Sequence, residues 1–226
     1  IHPTRGVISA GVFLPAASGA GLAADIDRVV RQGSLEFLRN LMRLQGGHPC
    51  VSINISSAQL SDASIVDQIE WQVEGFGLSA SQVRIEILES TLLDDRSSQI
   101  ADNIRSFAAR GYPIELDDFG TGHAAIASLR QYPVSRIKID RSLVSGIDRD
   151  ESSRVITETI AMLARRLGLE VLAEGVETAE ELDELRRIGC SAVQGYHLAR
   201  PMPGRDILDW LKTGESGGTA AGKASA

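Results

Sequence analysis

Aromatic residues make up only 4% of this chain of 226 residues, and it has only two cysteines, Cys50 and Cys190. Packing must therefore come from Ala, Leu, Ile and Val rather than from large rings. Two thiols, each just ahead of a candidate strand, build neither a disulfide framework nor a zinc spacing, so a reducing cytosol is the expected setting. No apolar run approaches the roughly 20 residues of a membrane span, and no signal peptide is visible. Positive charge is also short: 23 Lys and Arg stand against 30 Asp and Glu, a formal net charge of −7. That balance argues against a coat for nucleic-acid polymers and against a binder of anionic membranes. It leaves room for a small phosphate ligand, because a bound metal inverts the local sign. The first residue is Ile rather than Met, so a longer parent chain is expected.

What is present is a core and a rhythm. Hydrophobic residues make up 43% of the chain, as in a globular protein of one large or two small domains. Residues 1–21 mix Gly, Pro and Ser with short apolar pieces, of which Val12-Phe13-Leu14-Pro15 is the one that reads as packed. Residues 22–44 carry Ile26, Val29, Val30, Leu35, Leu38, Leu41, Met42 and Leu44 at helical spacing. Strand-like runs and helix-like runs then alternate. The strands are expected at 50–55, 83–88, 112–116, 135–139, 169–173 and 191–194. The helices between them are expected near 63–76, 97–110, 124–131, 151–167 and 178–188, with a last one near 204–212. Thr178 and Glu181 form a capping box at the start of the helix to Ile188. Residues 213–226 read as a flexible tail.

Six strand–helix units in strict alternation imply a parallel sheet with right-handed crossovers. An open doubly wound sheet of the dinucleotide-binding type needs Gly-x-Gly-x-x-Gly after its first strand, and it is missing; Gly120-Thr-Gly122-His-Ala-Ala fails at the third Gly. Asp118-Phe119-Gly120 lacks the partners of a kinase triplet. The other solution is an α/β barrel of the (β/α)₈ kind, whose site is built from the C-terminal strand ends. Here those ends carry Asn54, Glu86, Asp117 with Asp118, Lys138 with Asp140, Glu174, and Gln194. Any one of them alone reads as a polar residue at a loop start. Glu86 is the sharpest exception, because Ile85 and Ile87 flank it within a strand, where a lone charge costs several kcal/mol or stays protonated.

The stretch 114–122, Ile-Glu-Leu-Asp-Asp-Phe-Gly-Thr-Gly, is the focus. β-Propensity fails at Asp and Gly, so the strand is expected to stop at Leu116 and both carboxylates to turn toward one point. Acids that close need a proton or a cation between them. Asn54, Glu86, Asp117, Asp118, Asp140 and Glu174 all offer oxygen, which suits Mg²⁺ or Mn²⁺ rather than zinc. His2, His48, His123 and His197 show no ligand spacing. Asp117 and Asp118 could bridge two cations about 3.5–4 Å apart, the separation used in phosphoryl chemistry. Lys138 and Asp140 share a strand face; the pair alone fits equally a lysine that orients water and a salt bridge at the rim.

Six spaced motifs resemble one family in order and spacing. They are Asn54-Ile-Ser, Glu86-Ile-Leu-Glu89-Ser, Asp117-Asp118-Phe-Gly-Thr-Gly, Lys138-Ile-Asp140-Arg, Ala173-Glu174-Gly-Val-Glu177-Thr and Gln194-Gly-Tyr. The family is the EAL-domain cyclic di-GMP phosphodiesterases, and the likeness runs from about Val12 to Pro203. It implies a modified (β/α)₈ barrel of the TIM type and metal-dependent hydrolysis of cyclic di-GMP to linear pGpG. It implies two ions, Mg²⁺ or Mn²⁺, with Asn54, Glu86, Asp117 and Glu174 as ligands, and Asp118 and Asp140 serving the second. Lys138 would hold the nucleophilic water, and Gln194 would support the site. Glu89 would brace the loop Asp118 to Gly122, with Gly120 and Thr121 inside it, which in the family couples metal, substrate and dimerisation. Glu177 would be supportive. A homodimer and an upstream sensor or cyclase domain follow from the resemblance alone.

The chain also departs from the family. The Glu-Ala-Leu motif and the substrate-binding Arg after it are absent and are expected upstream of Ile1, with the barrel's first two strands. Residues 1–212 are therefore expected to be an N-terminally incomplete EAL domain. Ala16-Ala17-Ser18 stands where Ala-Glu is usual, and Gly122-His123-Ala124-Ala125 where Gly-Tyr-Ser-Ser is usual. These changes bear on substrate affinity or dimer control more than on metal binding. They leave a catalytically inactive cyclic di-GMP receptor as the alternative function, and a partner-binding scaffold as a third.

Overall fold

In the computed structural model the described residues are 4, 8, 10–44, 48–93, 98–121 and 129–213. Six strands form one sheet: β1 (Val51–Asn54), β2 (Val83–Leu88), β3 (Ile114–Phe119), β4 (Arg136–Ile139), β5 (Glu170–Ala173) and β6 (Ala192–Val193). They lie in sequence order with every neighbouring pair parallel, as strict alternation requires. Two helices precede the sheet, α1 (Ala10–Gly19) and α2 (Ala23–Leu44). Between the strands run α3 (Ser57–Leu60), α4 (Ile65–Gly75), α5 (Glu89–Leu93), α6 (Ser98–Ala109), α7 (Arg141–Val144), α8 (Glu151–Arg166) and α9 (Ala179–Ile188). Helix α10 (Gly204–Thr213) comes last and takes in Thr213, the first residue of the expected tail; residues 214–226 lie outside the described residues.

Alternate residues of each strand face opposite sides of the sheet. The outer face carries Ile85 and Ile87, Ile114 and Leu116, Ile137 and Ile139, all sealed from solvent. They join one core with Ile69 and Val73 of α4, Ile104 and Phe107 of α6, Ala161 and Ala164 of α8, and Leu182 and Leu185 of α9. The expected capping box forms: the Glu181 amide donates to Thr178 Oγ1 at 3.2 Å, and the Thr178 amide donates to Glu181 Oε2 at 3.1 Å.

The sheet is curled into a half-barrel. The Arg84 guanidinium on β2 comes within 3.7 Å of Glu170 on β5, three strands away. On a flat sheet those backbones would stand about 14 Å apart. Among the described residues β1 and β6 are both edges, so the sheet is an open part of a (β/α)-barrel rather than a closed one.

Two local expectations need correction. Val12, Phe13 and Leu14 are exposed on α1, with Pro15 inside that helix, so the run that reads as packed is a surface face. On α2 Val29 and Val30 are exposed, while Leu35, Leu38 and Leu41 are buried. Strand β3 does not stop at Leu116. It runs through both aspartates to Phe119, which pairs with Ile139 after a register shift. The helix expected near 124–131 falls mostly on residues 122–128, which lie outside the described residues.

Candidate metal centre

The inner face of the sheet is charged, in two layers. Strands β2, β3 and β4 place a charge at every second residue: Arg84 and Glu86, Glu115 and Asp117, Arg136 and Lys138. In the lower layer Glu115 accepts from Arg84 Nη1 at 3.2 Å, Arg136 Nη1 at 2.7 Å and Ser52 Oγ at 2.7 Å. Arg136 Nε donates to Glu170 at 2.9 Å. None of Arg84, Glu115, Arg136 and Glu170 is a residue that strand-end reasoning selects. The signal for them is the alternation itself, a charge at i and i+2 in three successive strands.

The upper layer is the C-terminal rim, where parallel strands put all their ends. Lys138 Nζ sits 2.7 Å from Glu86 Oε1, 2.9 Å from Asp117 Oδ1 and 2.6 Å from Glu174 Oε1. Its side chain is 5% exposed. Asp140 is not among its partners. That residue lies past the end of β4, where its Oδ1 caps α7 by accepting from the Ser142 amide at 2.9 Å. The salt bridge between Lys138 and Asp140 is therefore not formed.

The register shift in β3 explains how adjacent aspartates reach one point. Asp118 takes φ +55, a left-handed value that Asp tolerates better than most residues. The bulge turns its side chain toward the rim beside Asp117 rather than to the opposite face. The turn is then pinned. Gly120 has φ +101, and a Cβ there would lie 2.8 Å from Leu143 Cδ1, so glycine is required. The Gly120 amide donates to the buried Glu89 Oε2 at 3.3 Å, and Thr121 Oγ1 donates to the Asp118 carbonyl at 2.9 Å. Glu89 thus sits under the loop that the family resemblance assigns to it. Gly122 lies outside the described residues.

The remaining expected residues frame the rim. Asn54 pairs in register with Glu86 at the end of the edge strand β1. Gln194 follows β6, and its carbonyl accepts from the Val176 amide at 3.1 Å, tying it to the loop after Glu174. Gly195 makes that contact possible, since a Cβ there would lie 2.1 Å from the Val176 carbonyl oxygen.

Three carboxylates against one ammonium leave this set strongly negative. Burial pushes Glu86 up to about 7, partly offset by Lys138 and reinforced by Asp117. Burial also raises Glu174, and burial with the charges of Asp117 and Asp140 raises Asp118. Lys138 is raised by Glu86 and Glu174 despite burial that works the other way, so it stays charged. We take the lysine as protonated and Glu86 as the group that gives up its charge first, because one cation cannot balance three anions. The consequence for the metal-free protein has a definite sign. A carboxyl whose folded value is raised keeps a proton that the unfolded chain has lost, so stability falls as pH rises from about 4.5 to about 7. Thermal melting in EDTA should show this loss, up to about 3 kcal/mol, and Glu86→Gln should flatten the profile.

A hard divalent cation fits this arrangement. Asp117, Asp118 and Glu174 each offer an oxygen, and these atoms lie within 4.8 Å of one another. Asp117 Oδ1 is buried and, although close to Lys138, lacks hydrogen-bond geometry with any partner. A buried carboxylate oxygen with a charge partner but no well-directed hydrogen bond is a ready metal ligand.

Comparison with known proteins agrees with this geometry. A family model described as EAL domain matches residues 1–201. The bifunctional diguanylate cyclase/cyclic di-GMP phosphodiesterase MucR of Pseudomonas aeruginosa is 34% identical over 209 residues, covering 92% of this chain and 30% of MucR. The cyclic di-GMP phosphodiesterase NbdA of the same organism is 32% identical over 213 residues, covering 93% of this chain and 27% of NbdA. The chain thus spans less than a third of the length of these relatives. Among solved structures, the PaMucR phosphodiesterase in its c-di-GMP complex superposes with TM-score 0.85 at 32% identity, over 91% of this chain and 83% of that one. The EAL enzyme Bd1971 in its cAMP- and cyclic-di-GMP-bound form gives TM-score 0.86 at 29% identity, over 93% of this chain and 57% of that one.

Proposed function

Because the chain belongs to the EAL domain family, we propose that it hydrolyses cyclic di-GMP to linear pGpG with two divalent cations, Mg²⁺ or Mn²⁺. The observation that carries this reading is the convergence of Glu86, Asp117 and Glu174 on the buried Lys138, with Asp118 turned in beside them. In this reading Asn54, Glu86, Asp117 and Glu174 would hold one ion, and Asp118 with Asp140 would hold the other. The chemistry such ions supply when bound is activation of a water and balancing of charge on the phosphodiester.

The chain's own residues do the rest. Lys138 is held protonated, so it acts as a donor that orients the attacking water, not as a base. The proton that the water loses passes to a carboxylate of the set. A bond forms from the water oxygen to phosphorus as the bond from phosphorus to the leaving ribose oxygen breaks, that oxygen takes up the proton, and the ring opens. Glu89, Gly120 and Thr121 keep Asp118 in its left-handed position, and Gln194 supports the opposite side of the rim. Residues 1–212 would form this domain and 213–226 a tail. We place the protein in the cytoplasm as a homodimer whose parent chain carries a sensor or cyclase domain, and the missing barrel strands, upstream.

A receptor that binds cyclic di-GMP without cutting it is the second reading, favoured by the altered loop at Gly122-His123-Ala124-Ala125. Chromatography of cyclic di-GMP incubated with Mg²⁺ or Mn²⁺ separates the two. It should be run on this chain and on one extended upstream by two strand–helix units. Linear pGpG from the extended chain is the expected outcome. Nucleotide bound and recovered intact would make the domain a receptor.

A further inference from the structure

We propose that the buried ion-pair layer of Arg84, Glu115, Arg136 and Glu170 is a positioning layer, which sets the spacing of the metal-binding carboxylates one layer above it. The inference rests on the metal reading given above and adds residues that the reaction itself does not use.

Each central strand that offers a charged side chain to the rim offers another to the lower layer, two residues earlier: Arg84 below Glu86, Glu115 below Asp117, Arg136 below Lys138. Two residues along a strand is a rise of about 7 Å, so each lower contact is a short lever on the side chain above it. Glu115 is 1% exposed and ties four strands together, through Ser52 on β1, Arg84 on β2 and Arg136 on β4. Arg136 extends the layer to Glu170 on β5. The layer above repeats this pattern with the signs reversed. Lys138 on β4 reaches Glu86 on β2, Asp117 on β3 and Glu174 just past β5.

The two layers differ in balance. The lower one pairs two guanidinium groups with two carboxylates and is neutral. The upper one sets three carboxylates against one ammonium without metal, and Lys138 is its single tie. Cations binding to Asp117, Asp118 and Glu174 also compete with Lys138 for its partners. The backbone ladders fix the spacing of neighbouring strands. The lower layer adds ties that metal does not disturb between strands that are not neighbours, Ser52 on β1 to Glu115 on β3 and Arg84 on β2 to Glu170 on β5, and so holds the curl of the sheet through both states. An apolar lower layer would pack as well, since well-packed apolar residues often replace buried ion pairs at no loss of stability. It would not fix how tightly the sheet curls, and so how closely the rim carboxylates converge, because apolar contacts lack direction.

That difference supplies the test. The triple variant R84M/E115L/R136M replaces the layer with apolar side chains of similar length. Glu170→Gln, at a side chain that is 46% exposed, removes one end of it with little risk to folding. Mn²⁺ affinity is measured by calorimetry at a temperature where circular dichroism shows each variant folded. The triple variant is expected to bind Mn²⁺ at least tenfold more weakly than the unsubstituted chain, at comparable thermal stability, and Glu170→Gln about threefold more weakly. Unchanged Mn²⁺ affinity in whichever of the two folds overturns the proposal and leaves the layer a stabilising one only. If the unsubstituted chain binds no Mn²⁺, the metal reading fails and this inference fails with it. Metal binding that persists without hydrolysis sinks the phosphodiesterase reading while leaving the positioning role standing.

Discussion

Replacing Asp117 with Asn should lower cyclic di-GMP turnover about a thousandfold, roughly 4 kcal/mol of transition-state stabilisation, while leaving the fold intact. Asp117 stands where both arrangements at the rim meet. One oxygen faces Lys138 at 2.9 Å, and the residue also belongs to the triad of oxygen donors with Asp118 and Glu174. Asn keeps the shape and one oxygen but removes a charge from a set in which one ammonium faces three carboxylates. Metal-free protein should therefore melt at the same temperature or higher, because Glu86 and Glu174 lose a repulsive neighbour. The pairing of lost activity with retained or raised stability distinguishes a site residue from a core residue. Turnover within tenfold of the unsubstituted chain would remove Asp117 from the site.

Lys138→Met has the second large effect, and its signature is conditional. In the metal-free state the substitution leaves Glu86, Asp117 and Glu174 facing one another without their shared ammonium. Breaking a buried ion pair in this way costs about 3–5 kcal/mol. The loss should be smaller near pH 5, where Glu86 holds a proton with or without Lys138, and should grow as pH rises past about 7, where Lys138 is what favours the charged carboxylate. Mg²⁺ or Mn²⁺ at a hundred times its dissociation constant should restore about 2.7 kcal/mol, because cations take over the balancing role. Turnover should still fall by about 10²–10⁴, since no donor then orients the water. Denaturant melts with and without metal check the first claim, and product formation checks the second. A variant as stable as the original in EDTA at pH 8 would contradict the reading of Lys138 as counter-ion.

Much of the rim could be read from the order of residues, and the reason is physical. A carboxylate inside an apolar strand, as at Glu86, is costly enough to need a partner, and strands in a barrel deliver their ends to one place. The strand pattern also survives translation into structure, because alternating runs of branched apolar residues have few other uses. What escaped was of three kinds. Propensity stops β3 at Leu116, but pairing of Phe119 with Ile139 carries the strand past two aspartates, at the cost of a bulge at Asp118. Strand periodicity puts Lys138 and Asp140 on one face, yet Asp140 lies beyond β4 and turns to cap α7. The lower layer is hidden by the habit of reading Val83–Leu88 and its neighbours as apolar blocks. Arg84, Glu115 and Arg136 are spaced to face inward, and only their partners on other strands show why they are tolerated there.

The apolar run on α1 shows the opposite case. Val12, Phe13 and Leu14 read as packed because they are apolar, but burial follows from what packs against a helix, not from its composition alone.

The most direct measurement is the rate of pGpG formation as a function of free Mn²⁺, at saturating cyclic di-GMP, on the upstream-extended chain. Two cations acting together predict a rate that vanishes in EDTA, rises with a sigmoidal dependence on Mn²⁺ and is lost in Asp117→Asn. A rate that persists in EDTA, or nucleotide that stays intact at every Mn²⁺ concentration while remaining bound, would contradict a metal-dependent phosphodiesterase.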